Sequence, residues 1–366
     1  MPVVEKFKGN LKVVHSDLLQ ALESFGIKTT SSKSLGGLNL DSTVKINKSR
    51  LIFDNIESQI GPVSVDGSVR VLLDSPKVKI ISNLNTGKIF VDTIFPMESG
   101  AYEEKTTRLM RVLNIGAVLP NQSLAYTRSA SFSPGRWSND PVDFSLLKHF
   151  DAEIKIKSNA LIYNNYIVKN TDLDANVNDG ILQLEKFNGD LFGGTIKAQA
   201  TVKAASRPTI SSIFKINNLN LGEGFMAVTG EKPATGQVGM NLKIASSGYT
   251  VSDLVAESTG RGVISLENLN VKKNSKGTIL SSILGLLNEL NKIGVGFPTQ
   301  DTGTSLANIT GTFNIDRGIA TSNDLSLVSS LGKGKANGKV DFSRWLVDVG
   351  GKFEISSNFI SLFLNK

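Results

Sequence analysis

The chain has 366 residues, 40% hydrophobic and 20% charged, a balance that excludes a disordered or collagen-like polymer. It has no cysteine, which excludes disulfides, thiolate metal sites and cysteine nucleophiles. The formal charge of +7 is spread along strand-like segments without a Lys/Arg cluster interleaved with aromatics, so nucleic acid is not expected as a partner.

The chain opens Met1-Pro2-Val3-Val4-Glu5-Lys6, without the charged-then-apolar layout of a signal peptide. No apolar run reaches the roughly 20 residues of a membrane helix. The sequence reads as a piece of something longer. Residues 16–25 predict a short helix, with Ser16 as cap, Leu18, Leu19, Leu22 and Phe25 on one side, and Gly26 as its stop. Residues 41–55 then match 151–165 without gaps: Asp41/Asp151, Lys45/Lys155, Ile46/Ile156, Leu51/Leu161, Ile52/Ile162 and Asn55/Asn165 are identical. A repeat of this kind implies stacked units sharing one apolar surface.

Residues 95–147 are the least regular, with a charged stretch over 97–113 and a unit boundary near Asp140. The expected organisation is a first β repeat with a short N-terminal helix over 1–95, an irregular connecting segment over 96–140, and a second β region over 141–366. The latter opens on Asp151-Ala152-Glu153-Ile154-Lys155-Ile156-Lys157, which switches polar and apolar at every step, so Ala152, Ile154 and Ile156 share one face. Residues 181–185, 195–202, 262–266, 311–315 and 339–342 read similarly. Turns are expected at Asp66-Gly67, Asn178-Asp179-Gly180, Asn188-Gly189-Asp190, Gly193-Gly194, Asp316-Arg317-Gly318 and Asn337-Gly338. Two more helices are expected: 250–258, closed by Gly260, and 276–293, with Ile279, Leu280, Ile283, Leu286, Leu287, Leu290 and Ile293 as an apolar stripe capping the sheet.

Catalytic chemistry is hard to find. His15 and His149 lack ligand-spaced partners, and there is no Gly-x-Ser-x-Gly elbow, P-loop or zinc motif. Asp140, Asp143 and Asp151 read as turn and cap residues, although a glycosidase-style carboxylate pair has the same composition. Trp137 and Trp345 read as packing anchors. The expectation is a protein that is not an enzyme and carries no cofactor and no metal.

Several segments, in order, resemble the AsmA family. Arg136-Trp137 with Pro141-Val142-Asp143-Phe144-Ser145-Leu146-Leu147, then Phe150-Asp151-Ala152, is similar to the start of the family's C-terminal region. Asn178-Asp179-Gly180 with Leu182 and Leu184, Leu191-Phe192-Gly193-Gly194-Thr195-Ile196, Gly248-Tyr249-Thr250-Val251-Ser252-Asp253-Leu254, and Gly311 to Gly318 resemble later landmarks. The likeness spans roughly residues 8–355 and is stronger after 130. It implies a mainly β fold: an elongated, curved sheet of antiparallel repeats forming a groove, with a few short helices. It further implies a non-catalytic bacterial envelope protein that moves phospholipid between inner and outer membranes and supports outer-membrane integrity. Such a protein would lie in the periplasm, its full-length parent anchored in the inner membrane; this chain shows no anchor. Phospholipid acyl chains, and possible contact with other envelope proteins, are the partners implied. Candidates for the groove lining are Val44, Ile46, Ala152, Ile154, Ile156, Leu182, Leu184, Ile196, Ala198, Ile264 and Leu266. The competing expectation is a structural or protein-interaction β-sandwich module of the envelope, its alternating strands filled by a second sheet.

Overall fold

The computed structural model describes residues 6–18, 20, 36–74, 76–91, 137–232, 234–271, 307–329, 332–344 and 346–355. Sixteen strands form one sheet in strict chain order. The first five are β1 (Lys6–His15), β2 (Leu38–Asn47), β3 (Arg50–Ile60), β4 (Val63–Leu72) and β5 (Val78–Phe90). Next come β6 (Phe150–Tyr163), β7 (Tyr166–Asn178), β8 (Ile181–Leu191), β9 (Gly194–Lys203), β10 (Thr209–Asn220), β11 (Ala234–Ser247) and β12 (Thr259–Val271). The last four are β13 (Ala307–Asp316), β14 (Ile319–Ser329), β15 (Gly332–Asp341) and β16 (Leu346–Ile355). A helix α1 (Leu221–Thr229) follows β10, a helix α2 (Val251–Ala256) follows β11, and a single 3-10 turn (Ser145–Lys148) precedes β6.

Every neighbouring pair is antiparallel except β5 and β6, which run parallel, Val78 beside Phe150 and Leu84 beside Ile156. A parallel pair needs the chain to return to its starting end, and the stretch between Phe90 and Phe150 makes that return. The sheet is therefore open and continuous, and it is curved. Each strand packs against its two sheet neighbours, and no second sheet faces the first among the described residues. The β-sandwich arrangement is accordingly not adopted there.

Two devices shape the sheet. Tight hairpins turn at Asp179-Gly180, Phe192-Gly193 and Arg317-Gly318, where both residues have positive φ, as two-residue turns matching strand twist require. Bulges at Asn55, Asn170, Asn218 and Asn268 put an asparagine in the left-handed region inside a strand, each beside a register shift. Asparagine tolerates that conformation better than other residues with a side chain, and each bulge adds local bend and twist. The backbone groups disturbed by these shifts find side-chain partners. The Ser42 hydroxyl donates to the Asp54 carbonyl at 3.0 Å, Asn268 N donates to Asn308 Oδ1 at 2.9 Å, and Thr312 N donates to Asp324 Oδ1 at 2.8 Å. Buried backbone polar groups demand such pairing.

Three expected turns are strand interiors instead. Gly67 lies within β4, Gly189 within β8 and Gly338 within β15. At the first two, glycine answers a close approach: a Cβ on Gly67 would stand 2.1 Å from the Asn83 carbonyl oxygen, and one on Gly189 would stand 2.4 Å from Val168 Cγ1. The helix over 250–258 is present as α2, but it ends at Ala256 with Glu257 as its C-cap, and Gly260 already belongs to β12. Helix α1 was not expected. The match between 41–55 and 151–165 holds through the strand pattern of 41–46 and 151–156, then parts: Lys48 and Ser49 form a turn, whereas Ser158 and Asn159 continue β6. The two stretches also run in opposite directions in the sheet. What repeats is the one-sided strand. Of the helix expected over 16–25, Leu18 and Gln20 are helical, Ser16 and Asp17 are not, and the rest lies outside the described residues, as do 97–113, 276–293 and Trp345.

Candidate functional site

Pairing register shows which side chains share a face. One rung crosses Gly9, Val44, Phe53, Val69 and Ser82 on β1 to β5. It continues through Ile154, Ala175, Leu184, Ala200 and Ser212 on β6 to β10. It then runs through Ile244, Gly260, Ile315, Ala320 and Val340 on β11 to β15. Parallel rungs on this side are equally apolar: Ile156 beside Leu173, Phe187 beside Ala198 and Phe214, and Met240 beside Ile264. One apolar face thus crosses the whole sheet, over about 70 Å if neighbouring strands are about 4.8 Å apart.

The face is incompletely covered. Its buried members are mostly small, including Ala152, Ala175, Ala198 and Ala320, which sit beneath larger neighbours. The larger side chains Ile154, Ile156, Leu182, Leu184, Ile196, Ile264 and Leu266 are half-buried. Ile46 is exposed, and Val44 is buried beside Phe53. All eleven residues singled out from the sequence therefore stand on this one face. Phe187, Phe214, Leu242 and Phe313 belong to it as well and were missed. The same alternation marks them; for Phe187 a bulge after Leu184 breaks the count.

Helix α1 lies on this face near one end. Leu221 and Phe225 pack with Ile309 and Leu327 on the buried cluster of Ala234, Leu269 and Ala307. Asn220 caps it, accepting from Glu223 N at 3.0 Å, and Gly230 closes it at φ +75. The opposite end carries a crossing segment. The Trp137 indole N–H donates to the Phe342 carbonyl at 2.7 Å, Val142 N to the Tyr249 carbonyl at 2.7 Å, and Gly180 N to the Leu147 carbonyl at 3.1 Å. Helix α2 sits beside it, held by a capping box between Thr250 and Asp253.

The other face is polar and ion-paired. Lys45 meets Asp54 at 2.7 Å, Lys79 meets Glu153 at 2.6 Å and Lys186 meets Asp172 at 2.5 Å. Asp324 accepts from the Thr312 hydroxyl at 2.7 Å as well as from its amide, and this holds its carboxyl below the usual aspartate range. A lowered folded value means the link stabilises above the unfolded value and is lost as pH falls through the folded one. Asp324→Ala should therefore lower the melting temperature at about pH 6, and the gap to the parent should shrink towards about pH 3. Thermal denaturation across that range checks it; a gap independent of pH would contradict the link.

Asp140, Asp143 and Asp151 serve as turn and cap residues. Each accepts locally: Asp140 from the Ser138 hydroxyl at 2.6 Å, Asp143 from Ser145 N at 2.8 Å, and Asp151 from Asp179 N at 3.1 Å. The His15 and His149 imidazoles contact the carbonyls of Asp17 and Ser145. Among the described residues no group of three His, Asp or Glu side chains is arranged to hold a metal ion. No described helix is long and apolar enough to cross a membrane.

The family model of AsmA matches residues 22–325. The chain belongs to the AsmA family. No curated protein and no solved structure matches it. AsmA proteins are envelope-associated, and AsmA is not a known enzyme family. The AsmA landmarks in this chain fall at the ends of strands: Pro141 to Leu147 in the crossing segment, Asp179-Gly180 and Phe192-Gly193 in hairpins, and Thr250 to Leu254 in the capped helix α2.

Proposed function

We propose that this AsmA protein carries phospholipid along its apolar face, moving it between the inner and outer membranes from the periplasm and so maintaining the outer membrane. The observation that supports this most is the rung that is mainly apolar from β1 to β15, interrupted only by small residues such as Ser82 and Ser212, while Phe53, Ile154, Leu184 and Ile244 along it remain half-buried. Acyl chains suit such a surface. Each buried methylene contributes about 0.8 kcal/mol, so one fatty-acyl chain could gain on the order of 10 kcal/mol before the cost of ordering it. The contact is non-directional, so no specific side-chain chemistry is needed along the path. The polar, ion-paired reverse face keeps the carrier in water.

Protein purified from membranes without added lipid should yield phospholipid on organic extraction and thin-layer analysis. Native mass spectrometry should show mass increments of whole phospholipids. Preparations free of lipid, which also take none from labelled phosphatidylethanolamine vesicles, would end this reading.

A further inference from the structure

On the polar face, β9 to β12 break the charge pattern seen earlier in the sheet. Lys197 of β9 stands directly across from Lys215 of β10, and Lys243 of β11 stands directly across from Arg261 of β12. Like charges in directly opposed positions destabilise a sheet. The lysines of β2 to β8 discussed above meet carboxylates. These four cations are exposed and, among the described residues, have no carboxylate partner. The registers place them in a diagonal band, one cation per strand, over about 15 Å. Two β-branched side chains flank the band in its open positions: Ile213, beside Lys243, is 47% exposed, and Val263, beside Asn241, is 49% exposed. The surface dips beside Lys243 and Arg261, lined also by Gln183, Gln199, Asn314 and Glu185, whose carboxylate accepts from Asn176 Nδ2 at 2.7 Å.

We infer that this band is a docking surface for an acidic segment of another protein. The charge requires an anionic partner. Ile213 and Val263 add apolar contact at its centre. These short side chains stand on the flat middle of a sheet, with no leucine, phenylalanine or tryptophan among the band positions to reach below lipid headgroups, as surface-bound membrane elements do. A protein segment carrying alternating acidic and apolar side chains fits both features, whereas a bilayer fits only the charge. The surface lies on the opposite side of the sheet from the apolar face, so its occupancy does not depend on lipid.

The test uses the whole protein and two probes: a fluorescein-labelled peptide of alternating Glu and Val residues, and vesicles of phosphatidylglycerol. In fluorescence anisotropy at physiological salt, Lys215→Glu/Lys243→Glu should weaken peptide binding by about tenfold or more, since two attractions become repulsions. Lys335→Glu/Lys352→Glu, the same charge change at another directly opposed, exposed lysine pair that lies on β15 and β16, outside the four-cation band, should change it by no more than about twofold. Circular dichroism establishes that both variants remain folded; should the first fail to fold, Lys215→Gln/Lys243→Gln replaces it, with a smaller loss in the same direction. A photo-crosslinking residue at position 213 should capture a protein in cells, and mass spectrometry should place the crosslink in an acidic segment. Equal weakening by both charge changes would reduce the effect to net charge and overturn the proposal. So would vesicles that bind through the band while the peptide does not, or a crosslink into a segment without acidic residues.

Discussion

Replacing Ile196 with Asp should cut phospholipid loading by about tenfold or more while leaving the protein folded. Ile196 sits on β9 in the apolar face, across from Ile216 and Gly189, and is half-buried. In a closed core, an unpaired carboxylate there would cost several kcal/mol and endanger the fold. On an open face the carboxylate keeps water on one side. The folding loss is then close to that of the half-buried isoleucine, about 1 kcal/mol, or a melting shift of a few degrees. With an acyl chain in place the same carboxylate is trapped in hydrocarbon. The lipid-bound state therefore bears the larger penalty. Ile213→Asp, one strand away on the polar face, should leave loading unchanged. Labelled phospholipid uptake and thermal melts measured on both variants decide the matter. If Ile196→Asp unfolds the protein, the face is a sealed core. If it loads lipid normally, the lipid does not pass β9.

Gly67→Ala should be the most damaging single-methyl change on this sheet, at about 3 kcal/mol or more. Gly67 has φ +140 inside β4, a region that side chains rarely enter, and the added Cβ would lie 2.1 Å from the Asn83 carbonyl oxygen on β5. Backbone, not a flexible side chain, would have to move. Gly350→Ala on the edge strand β16 meets only Asn337 Oδ1 at 3.5 Å and should shift stability by less than about 1 kcal/mol. Urea unfolding gives both values, and hydrogen exchange should place the loss at Gly67 in β3 to β5. Equal effects at the two positions would remove the argument from close approach.

Alternation in the sequence reveals the faces because a strand repeats every two residues, and Ile154, Ile156, Ile196 and Ile264 could be placed without coordinates. The tight turns at Asp179-Gly180 and Arg317-Gly318 were legible for the same local reason. Gly67 and Gly189 were misread because an acidic or amide residue next to glycine marks a turn only when the neighbouring strand does not press on it. That pressure comes from Asn83 or Val168, far along the chain. Bulge asparagines were invisible because an isolated Asn is also an ordinary exposed strand residue. Helix α1 was hidden by Gly222 and Gly224, two poor helix formers, although Asn220, Glu223 and Gly230 are the cap residues of a short helix. The β5–β6 seam could not be read at all, since a parallel pairing across some sixty residues leaves no local mark. The family landmarks succeeded because they record the strand ends, where φ angles and caps demand particular residues. The face between them accepts any apolar side chain, so its path had to be traced by register.

A sheet in which each strand leans only on the next has a mechanical consequence. Among the described residues no second sheet faces this one, so its stability is largely a chain of neighbour-to-neighbour terms, as in stacked repeats. Pulled from one edge strand, such a molecule unzips hairpin by hairpin, each step leaving the remainder standing. Its heat transition is expected to spread over a wider interval than that of a globule of equal mass.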